Sequence, residues 1–381
     1  MLYRTMEKAD KSLSILGMGC MRLPVIEKDG TKIIDEAQAT QMVRYAIDHG
    51  VNYIDTAYPY HGGESEPFVG RALQDGYREK VFVATKLPTW AIQTRDDMDQ
   101  YLNEQLERLQ TDAIDFYLIH GLKRERWENM KRLGFEGFLD SAIRDGRIGH
   151  AGFSFHADRE IFKEIVDGYD WTFCQIQYNY LDENFQAGKE GLEYAAQKGM
   201  GIIVMEPLRG GKIAEDVPDA MMQIWNEAVT TRTPAEWALR WVWNHPKVAV
   251  ALSGMSTMRQ VRENLHTADQ GIAQSLTARE LEIIDRVKAE YKSRIKVDCT
   301  NCGYCMPCPN GVNIPDCFAR YNTAFLFENF EQMKQSYKNM IPEPYRASQC
   351  VACGECEDKC PQHLPIIEQL RDVVEAFEDS Q

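Results

Sequence analysis

Four side chains that could move a proton or hold a charge lie at the ends of short apolar segments in the first third of the chain. They are Asp55, Tyr60, Lys86 and His120. A tyrosine phenol has a pKa of about 10, so it is a poor proton donor or acceptor at neutral pH. A neighbouring ammonium shifts that pKa toward a useful range, and a carboxylate keeps the ammonium charged and oriented. The set predicts acid–base catalysis wherever the fold brings these side chains together.

A second set consists of thiols. The chain has 11 cysteines, and nine of them lie between Cys299 and Cys360. Most of these cysteines form two motifs. The second motif, which begins at Cys350, is the C-x2-C-x2-C-x3-C-P run of bacterial ferredoxins, in which three thiolates hold one [4Fe–4S] cluster and the fourth ligates the other. The first motif is one residue shorter before its last cysteine, Cys308. The predicted ligands of two [4Fe–4S] clusters are Cys299, Cys302, Cys305, Cys308, Cys350, Cys353, Cys356 and Cys360.

Zinc is the rival metal, because two zinc sites of four cysteines each would also use thiolates. Zinc sites usually combine two CxxC pairs, whereas the triple CxxCxxC followed by Cys-Pro favours iron–sulfur clusters. The remaining cysteines, Cys20, Cys174 and Cys317, lie in apolar strand or helix context and are interpreted as packing residues.

The elements that must position the catalytic set recur along the chain. Seven apolar runs start at residues 51, 81, 114, 148, 173, 201 and 248, each followed by a helical stretch, and an eighth, less clear unit falls around 265–285. This alternation predicts an α/β fold, a (β/α)8 TIM barrel, with chemistry at the C-terminal ends of its strands. A doubly wound open sheet is the alternative, weakened because no GxGxxG follows the first strand. The cysteine-rich part predicts a small, mainly α-helical ferredoxin-like domain, so the expected domains are 1–294 and 295–381.

Composition limits the function classes. The 381 residues are 44% hydrophobic and 27% charged, as in a soluble globular protein, and the net charge is −15. That charge argues against binding nucleic acid or an anionic membrane, and it suits docking against a basic redox protein. No apolar run is long enough for a membrane span, and the first residues do not resemble a secretory signal. A cytoplasmic location is therefore expected.

The motifs carry a resemblance to a known family. GVNYIDTAYPYHGGESEPFVGRAL, VATKL, FYLIHG, GFSFH, QIQYNY and GMSTMRQVREN resemble segments of the aldo-keto reductase superfamily, in the family order, over roughly residues 12–290. The whole chain resembles those members that carry a C-terminal ferredoxin-like domain. The resemblance implies that Tyr60 is the general acid for carbonyl reduction and that Lys86 lowers its pKa. Asp55 would then pair with Lys86, and His120 would orient the substrate carbonyl.

The same resemblance implies a nicotinamide dinucleotide site. Ser154 and Gln175 would hold the nicotinamide amide, Gly210 and Gly211 would lie near the pyrophosphate, and Asn264 would lie by the adenine. NADP(H) is favoured, with NAD(H) as the alternative.

Several positions depart from the family pattern. Gly254 stands where many NADP-dependent members have lysine, which leaves Arg259 to meet a 2′-phosphate. Met205 aligns where many members stack an aromatic ring on the nicotinamide, which leaves that face open to another cofactor geometry. His61 and an extra glycine alter the rim of the substrate pocket.

The expected function is NAD(P)H-dependent reduction of an aldehyde or ketone by an enzyme that also carries clusters. A hydride carries two electrons and each cluster passes one, so exchange between them needs a two-step mediator such as a flavin. One alternative is a redox-sensing or electron-transfer module with a catalytically weak barrel. The other is a reductase whose metal tail is purely structural.

Overall fold

A computed structural model describes residues 1–28, 30–215, 217–299, 301, 303–360 and 362–378. Among the predicted cluster ligands, Cys302 lies outside the described residues. The chain divides into two compact units, Met1–Glu215 with Arg232–Thr277, and Asp216–Thr231 with Ala278–Gln381. The second unit thus begins before residue 295, and the division at residues 294 and 295 remains a prediction from sequence.

The first unit contains a closed barrel of eight parallel strands, as the sequence predicts. Strands β3 and β6–β12 form the barrel, while β1 pairs with β2 and β4 with β5 in two antiparallel hairpins. The strands are β1 (Tyr3–Met6), β2 (Lys11–Ser14), β3 (Leu16–Gly19), β4 (Val25–Lys28), β5 (Thr31–Ile34), β6 (Tyr53–Asp55), β7 (Phe82–Leu87), β8 (Ile114–Leu122), β9 (Ile148–Phe155), β10 (Phe173–Gln177), β11 (Gly201–Met205) and β12 (Val248–Ser253).

Helices cover the outside of the barrel strands, and several begin at capping side chains. The side chains of Thr94 and Thr257 each form a capping box, and Thr233 caps a helix that has Pro234 at its first turn. The helices of the first unit are α1 (Glu36–Asp48), α2 (Ser65–Ala72), α3 (Arg95–Leu109), α4 (Arg124–Arg132), α5 (Phe135–Arg144), α6 (Arg159–Asp167), α7 (Gly188–Gln197), α9 (Pro234–Asn244) and α10 (Met258–Ala268). Those of the second unit are α8 (Asp219–Trp225), α11 (Ala278–Ser293), α12 (Ile314–Phe327), α13 (Phe330–Met340), α14 (Glu355–Asp358) and α15 (Ile366–Phe377).

The eighth barrel strand is not where the sequence predicts it. Residues 265–285 contain the end of α10 and the start of α11, and the missing strand is β3, which lies between β12 and β6. The prediction was wrong because β3 has only four residues and two of them are glycines, which have low β-propensity. Gly17 is needed there, since a Cβ would lie 2.7 Å from the Leu252 side chain.

Strand alternation separates the barrel interior from the helix-facing side. A buried cluster holds alternate strand residues such as Tyr53, Ala84 and Phe116, together with Met6 and Leu13 of the β1–β2 hairpin. The hairpin therefore packs at the N-terminal end of the barrel. Because side chains alternate along a strand, Asp55 and Lys86 share the interior face with Tyr53 and Ala84, two residues earlier on the same strands. They lie at the opposite end of the barrel from the hairpin. That end is where the predicted catalytic set lies.

The second unit has its own hydrophobic core. Helices α12, α13 and α15 pack on one another around buried side chains that include Phe318, Tyr337 and Phe377. The Tyr337 hydroxyl accepts a hydrogen bond from the Ala347 backbone N–H at 2.8 Å and donates one to Glu378 at 2.6 Å. Cys317 is buried in this core, while Cys20 and Cys174 are buried in the first unit. Across the described ranges, none of the helices combines the length and apolarity that crossing a bilayer requires.

Candidate active site

A buried ion pair forms the floor of the site. The Lys86 Nζ lies 2.8 Å from both carboxylate oxygens of Asp55 and donates to the Thr56 backbone oxygen at 2.7 Å. Both side chains are almost fully buried, at 1% and 4% exposure. The Tyr60 hydroxyl lies 3.5 Å from Lys86 Nζ. An ammonium has three N–H donors and the shorter contacts use them, so Lys86 acts on Tyr60 mainly as a nearby charge.

Burial and charge act on these groups in opposite directions. Burial lowers the pKa of Lys86, but Asp55 and Tyr60 together outweigh burial, so that pKa is raised and Lys86 stays charged. For Tyr60, burial raises the pKa and the charge of Lys86 lowers it. Burial has the larger effect, so the pKa of the phenol is higher than its ordinary value. Lys86 therefore lowers the pKa of Tyr60, as predicted from the sequence, but burial raises that pKa by more. The phenol is held protonated, as a proton donor must be.

His120 faces the phenol from β8. Its ring centroid is 6.4 Å from that of Tyr60, in an edge-on arrangement, and 5.2 Å from that of Trp90. Burial lowers the pKa of His120 well below its ordinary value, and the charge of Lys86 lowers it further. The imidazole is therefore neutral and can present an N–H to a carbonyl oxygen.

Ser154 and Gln175 lie side by side on neighbouring strands, where they are register partners. Both are buried, and the Ser154 Oγ accepts a hydrogen bond from the Gly121 backbone N–H at 2.8 Å. The Gln175 Nε2 lies 3.7 Å from the Met205 sulfur, whereas its Oε1 is buried and has no partner among the described atoms. A buried amide oxygen without a donor fits an incoming carboxamide N–H, so this part of the site suits a nicotinamide.

The loops after β11 and β12 meet at an arginine that the sequence did not single out. Gly210 and Gly211 have φ of 68° and 94°, and a Cβ on Gly210 would lie 2.9 Å from the Arg22 guanidinium. A Cβ on Gly254 would lie 3.2 Å from the Arg22 side chain. In the described part of the chain, Arg22 is exposed and its guanidinium forms no hydrogen bond or ion pair. Burial raises the pKa of Glu206 and the charge of Arg22 opposes that rise, so Arg22 lies near a carboxylate. A cation beside a glycine turn suits a phosphate.

The two residues predicted at the adenosine end already have partners. Arg259 is exposed and forms a pair of contacts of 3.0 and 3.1 Å with Glu263, with Glu215 at 3.6 Å. Asn264 is buried and donates to the Ser253 Oγ at 3.0 Å. Arg259 must therefore exchange its carboxylate partners before it meets a 2′-phosphate, unlike Arg22.

A polar network behind the ion pair was also missed from the sequence. Glu66 is fully buried and accepts hydrogen bonds of 2.6 Å from Thr85 and from Gln105. The same Gln105 amide donates to the Lys86 backbone oxygen at 3.0 Å. This network holds the end of β7, and thereby the Lys86 backbone, in place. Glu66 is the glutamate of the quoted HGGESEP segment that precedes the proline, but its burial could not be predicted from its type.

In the second unit, cysteines from both motifs line one cavity. Cys299 and Cys305 of the first motif lie around it with Cys360 of the second, among Ile314, Phe318 and other apolar side chains. No three described His, Cys, Asp or Glu side chains converge closely enough to hold one metal ion. Cysteines that line one cavity fit a multi-iron cluster with a thiolate at each corner.

The remaining described ligands differ in their exposure. Cys350 and Cys308 are half-buried, Cys353 is exposed and Cys356 is buried. Burial, with a smaller contribution from the neighbouring Cys350, raises the pKa of Cys356 to about 11. The two cysteines are thus close enough to interact electrostatically.

A parallel barrel with a buried lysine–carboxylate pair beside a tyrosine is the site of an enzyme that transfers a proton. The aldo/keto reductase family matches residues 16–289, and the 4Fe-4S dicluster domain matches residues 298–364. The chain belongs to the aldo/keto reductase family, is an oxidoreductase of that type, and carries an iron–sulfur domain at its C-terminal side.

Three similar proteins illustrate the relationship. The uncharacterized oxidoreductase YqkF of Bacillus subtilis is 26% identical over 313 residues, covering 74% of this chain and 95% of that protein. Methylglyoxal reductase YeaE of Escherichia coli is 26% identical over 305 residues, covering 76% and 96%. The structure of an aldo-keto reductase from Klebsiella pneumoniae in complex with NADPH has a TM-score of 0.60 and 25% identity, covering 76% and 96%.

Proposed function

We propose that the barrel reduces an aldehyde or ketone with NADPH, so that carbonyl, NADPH and a proton give alcohol and NADP⁺. The observation that carries the proposal is the contact of Tyr60 with the buried Lys86–Asp55 pair, opposite a neutral His120. When bound, the nicotinamide supplies the hydride. The similarity to an NADPH-bound aldo-keto reductase and to a methylglyoxal reductase supports the choice of cofactor and of a small carbonyl substrate.

Each residue then has a role. Tyr60 donates the proton to the carbonyl oxygen, and Lys86 stabilises the phenolate that remains. Asp55 keeps Lys86 charged, and His120 orients the carbonyl oxygen. Ser154 and Gln175 bind the carboxamide, and their shared register fixes how the ring faces the substrate.

The dinucleotide phosphates are assigned to the loop side of the barrel. Gly210, Gly211 and Gly254 leave room for the pyrophosphate, with Arg22 as the cation that meets it. Arg259 and Asn264 remain the proposed contacts of the adenosine end. The Gln175–Met205 contact puts the thioether beside the amide site, and NAD(H) stays the alternative cofactor.

The test is Tyr60→Phe, with Tyr58→Phe as the matched control, since the Tyr58 hydroxyl contacts Glu104 and Arg108 instead of the ion pair. We expect Y60F to lower kcat for aldehyde reduction by about 10²- to 10⁴-fold, the usual contribution of a general acid. NADPH binding, measured by fluorescence, should persist. Equal turnover by Y60F and the unmodified enzyme would refute the assignment of the proton donor.

We also propose two [4Fe–4S] clusters in the second unit, each completed by a cysteine of the other motif. The cavity shared by Cys299, Cys305 and Cys360 supports this arrangement, with Cys302 as the further ligand of that cluster. Cys308 would complete the cluster of Cys350, Cys353 and Cys356. The clusters would supply one-electron transfer.

A relay between clusters and substrate needs a group that takes two electrons and passes them singly, such as a flavin or a redox protein partner. Anaerobic addition of NADPH tests the relay. Bleaching of the cluster absorbance supports it, and an unchanged spectrum leaves the clusters with a structural role.

A further inference from the structure

We propose that the substrate carries a carboxylate, and that Arg126 binds it; this rests on the carbonyl reduction proposed above. Arg126 lies on α4, directly after β8, on the same side of the barrel as His120. Its guanidinium carbon is 5.5 Å from the Trp90 ring centroid, and Trp90 in turn contacts His120. Three successive contacts, through the rings of Trp90 and His120, therefore connect the arginine to Tyr60.

Arg126 is held in place but not neutralised. Its Nη1 donates to the Gly121 backbone oxygen at 3.0 Å, and within the described ranges no carboxylate pairs with it. The neighbouring arginine Arg124 and the lysine Lys131 on the same helix both pair with Glu164. A half-buried guanidinium with unused donors beside a catalytic histidine suits an anionic group of the ligand.

Gly121 makes this placement possible. Its φ is 58°, and a Cβ there would lie 2.9 Å from the Arg126 Nη1. Its N–H donates to Ser154 and its oxygen accepts from Arg126, so one short segment joins the nicotinamide side and the arginine. The two binding positions are thereby fixed relative to each other.

The surroundings indicate which anion. Trp90 is 47% exposed and offers a flat apolar surface between His120 and Arg126. A guanidinium can meet a planar carboxylate in two parallel hydrogen bonds, and the single positive charge of Arg126 balances the single negative charge of a carboxylate. Because the arginine is separated from His120 by an aromatic ring, the carboxylate must be separated from the carbonyl by a spacer such as a ring.

The experiment compares 4-carboxybenzaldehyde with its neutral methyl ester, using NADPH and the full-length enzyme. We expect kcat/KM to favour the acid by about 10- to 100-fold, the range of a charge-assisted hydrogen bond. Arg126→Gln should lower that ratio at least tenfold, mainly through KM for the acid. Arg124→Gln is the control and should leave the ratio unchanged. A wild-type preference for the ester, or a ratio that R126Q does not change, would overturn the proposal.

Binding of benzoate separates this proposal from carbonyl reduction itself, because it needs no turnover. The dissociation constant is measured by tryptophan fluorescence for benzoate and for neutral methyl benzoate. Benzoate binding that weakens at least tenfold in R126Q supports the carboxylate site even if neither aldehyde is reduced. Equal benzoate affinity in R126Q and the wild type overturns it even if both aldehydes are reduced.

Discussion

Replacing Lys86 by methionine should leave the Asp55 carboxyl buried without its counter-charge. Asp55 is 4% exposed, and the described atoms that face its two oxygens at 2.8 Å belong to Lys86 alone. Burial already raises the pKa of Asp55, and Lys86 is what opposes that rise. In Lys86→Met the carboxyl should therefore take up a proton on folding. Its folded pKa then lies far above the value of about 3.9 that it has in the unfolded chain.

The sign of the pH dependence follows. An acid whose pKa is higher in the folded state binds a proton on folding, so stability falls as pH rises from the unfolded pKa to the folded one. At about 1.36 kcal/mol for each pH unit, holding Asp55 protonated costs about 5 kcal/mol at pH 7.5 and about 2 kcal/mol at pH 5.5. The difference of about 3 kcal/mol corresponds to about 5 °C in the Tm of a unit of this size, since the entropy of unfolding grows with the number of residues.

The assay is anaerobic thermal unfolding of the full-length protein at the two pH values, followed by circular dichroism. K86M should lose about 5 °C more, relative to wild type, at pH 7.5 than at pH 5.5. The double variant K86M/D55N, which has no carboxyl to protonate, should show the same loss at both pH values. A K86M deficit that is independent of pH would show that Asp55 is not the group left unpaired.

Two further predictions concern the cofactor sites. Arg22→Gln should raise the Kd for NADPH about 10-fold or more, as expected for a lost charge-assisted hydrogen bond, with a smaller effect on kcat. The control is Arg71→Gln, because Arg71 pairs with Glu36. Equal Kd values for R22Q and the wild type would exclude Arg22 from the phosphate site. Cys360→Ala should lower the iron content of anaerobically purified protein from about eight to about four per chain, since each cube holds four irons, whereas Cys317→Ala should keep about eight. Full iron content in C360A would remove Cys360 from the ligand set.

The barrel, and the meeting of the predicted catalytic side chains at one end of it, could be predicted because both follow local rules. Nearly continuous apolar runs mark strands buried on both faces, and Asp55, Lys86 and His120 end such runs. The β3 strand could not be found this way, since Leu16–Gly19 is too short and too rich in glycine to give a pattern.

The features that could not be predicted from the sequence depend on contacts between residues that are far apart in the chain. Arg22 and Arg126 look like any surface arginines until the fold places them beside Gly210 and Trp90. Nothing in the spacing of Tyr60 and Lys86 says how deeply the phenol is buried, so the balance between charge and burial emerged only from the structure. No acidic residue lies three or four positions from Arg126 on α4, where Asn129 and Met130 follow it, and this spacing is the one signal that could have drawn attention to Arg126.

The cavity that joins Cys299 and Cys305 with Cys360 has a consequence for how the protein is made. A cluster bound by both motifs cannot acquire its last ligand until the chain has been synthesised as far as Cys360 and folded back. The other proposed cluster would likewise wait for both Cys308 and the second motif. Metal loading would then be a late step of biosynthesis, since a nascent chain that ends before the second motif could hold iron only through an incomplete and labile set of thiols.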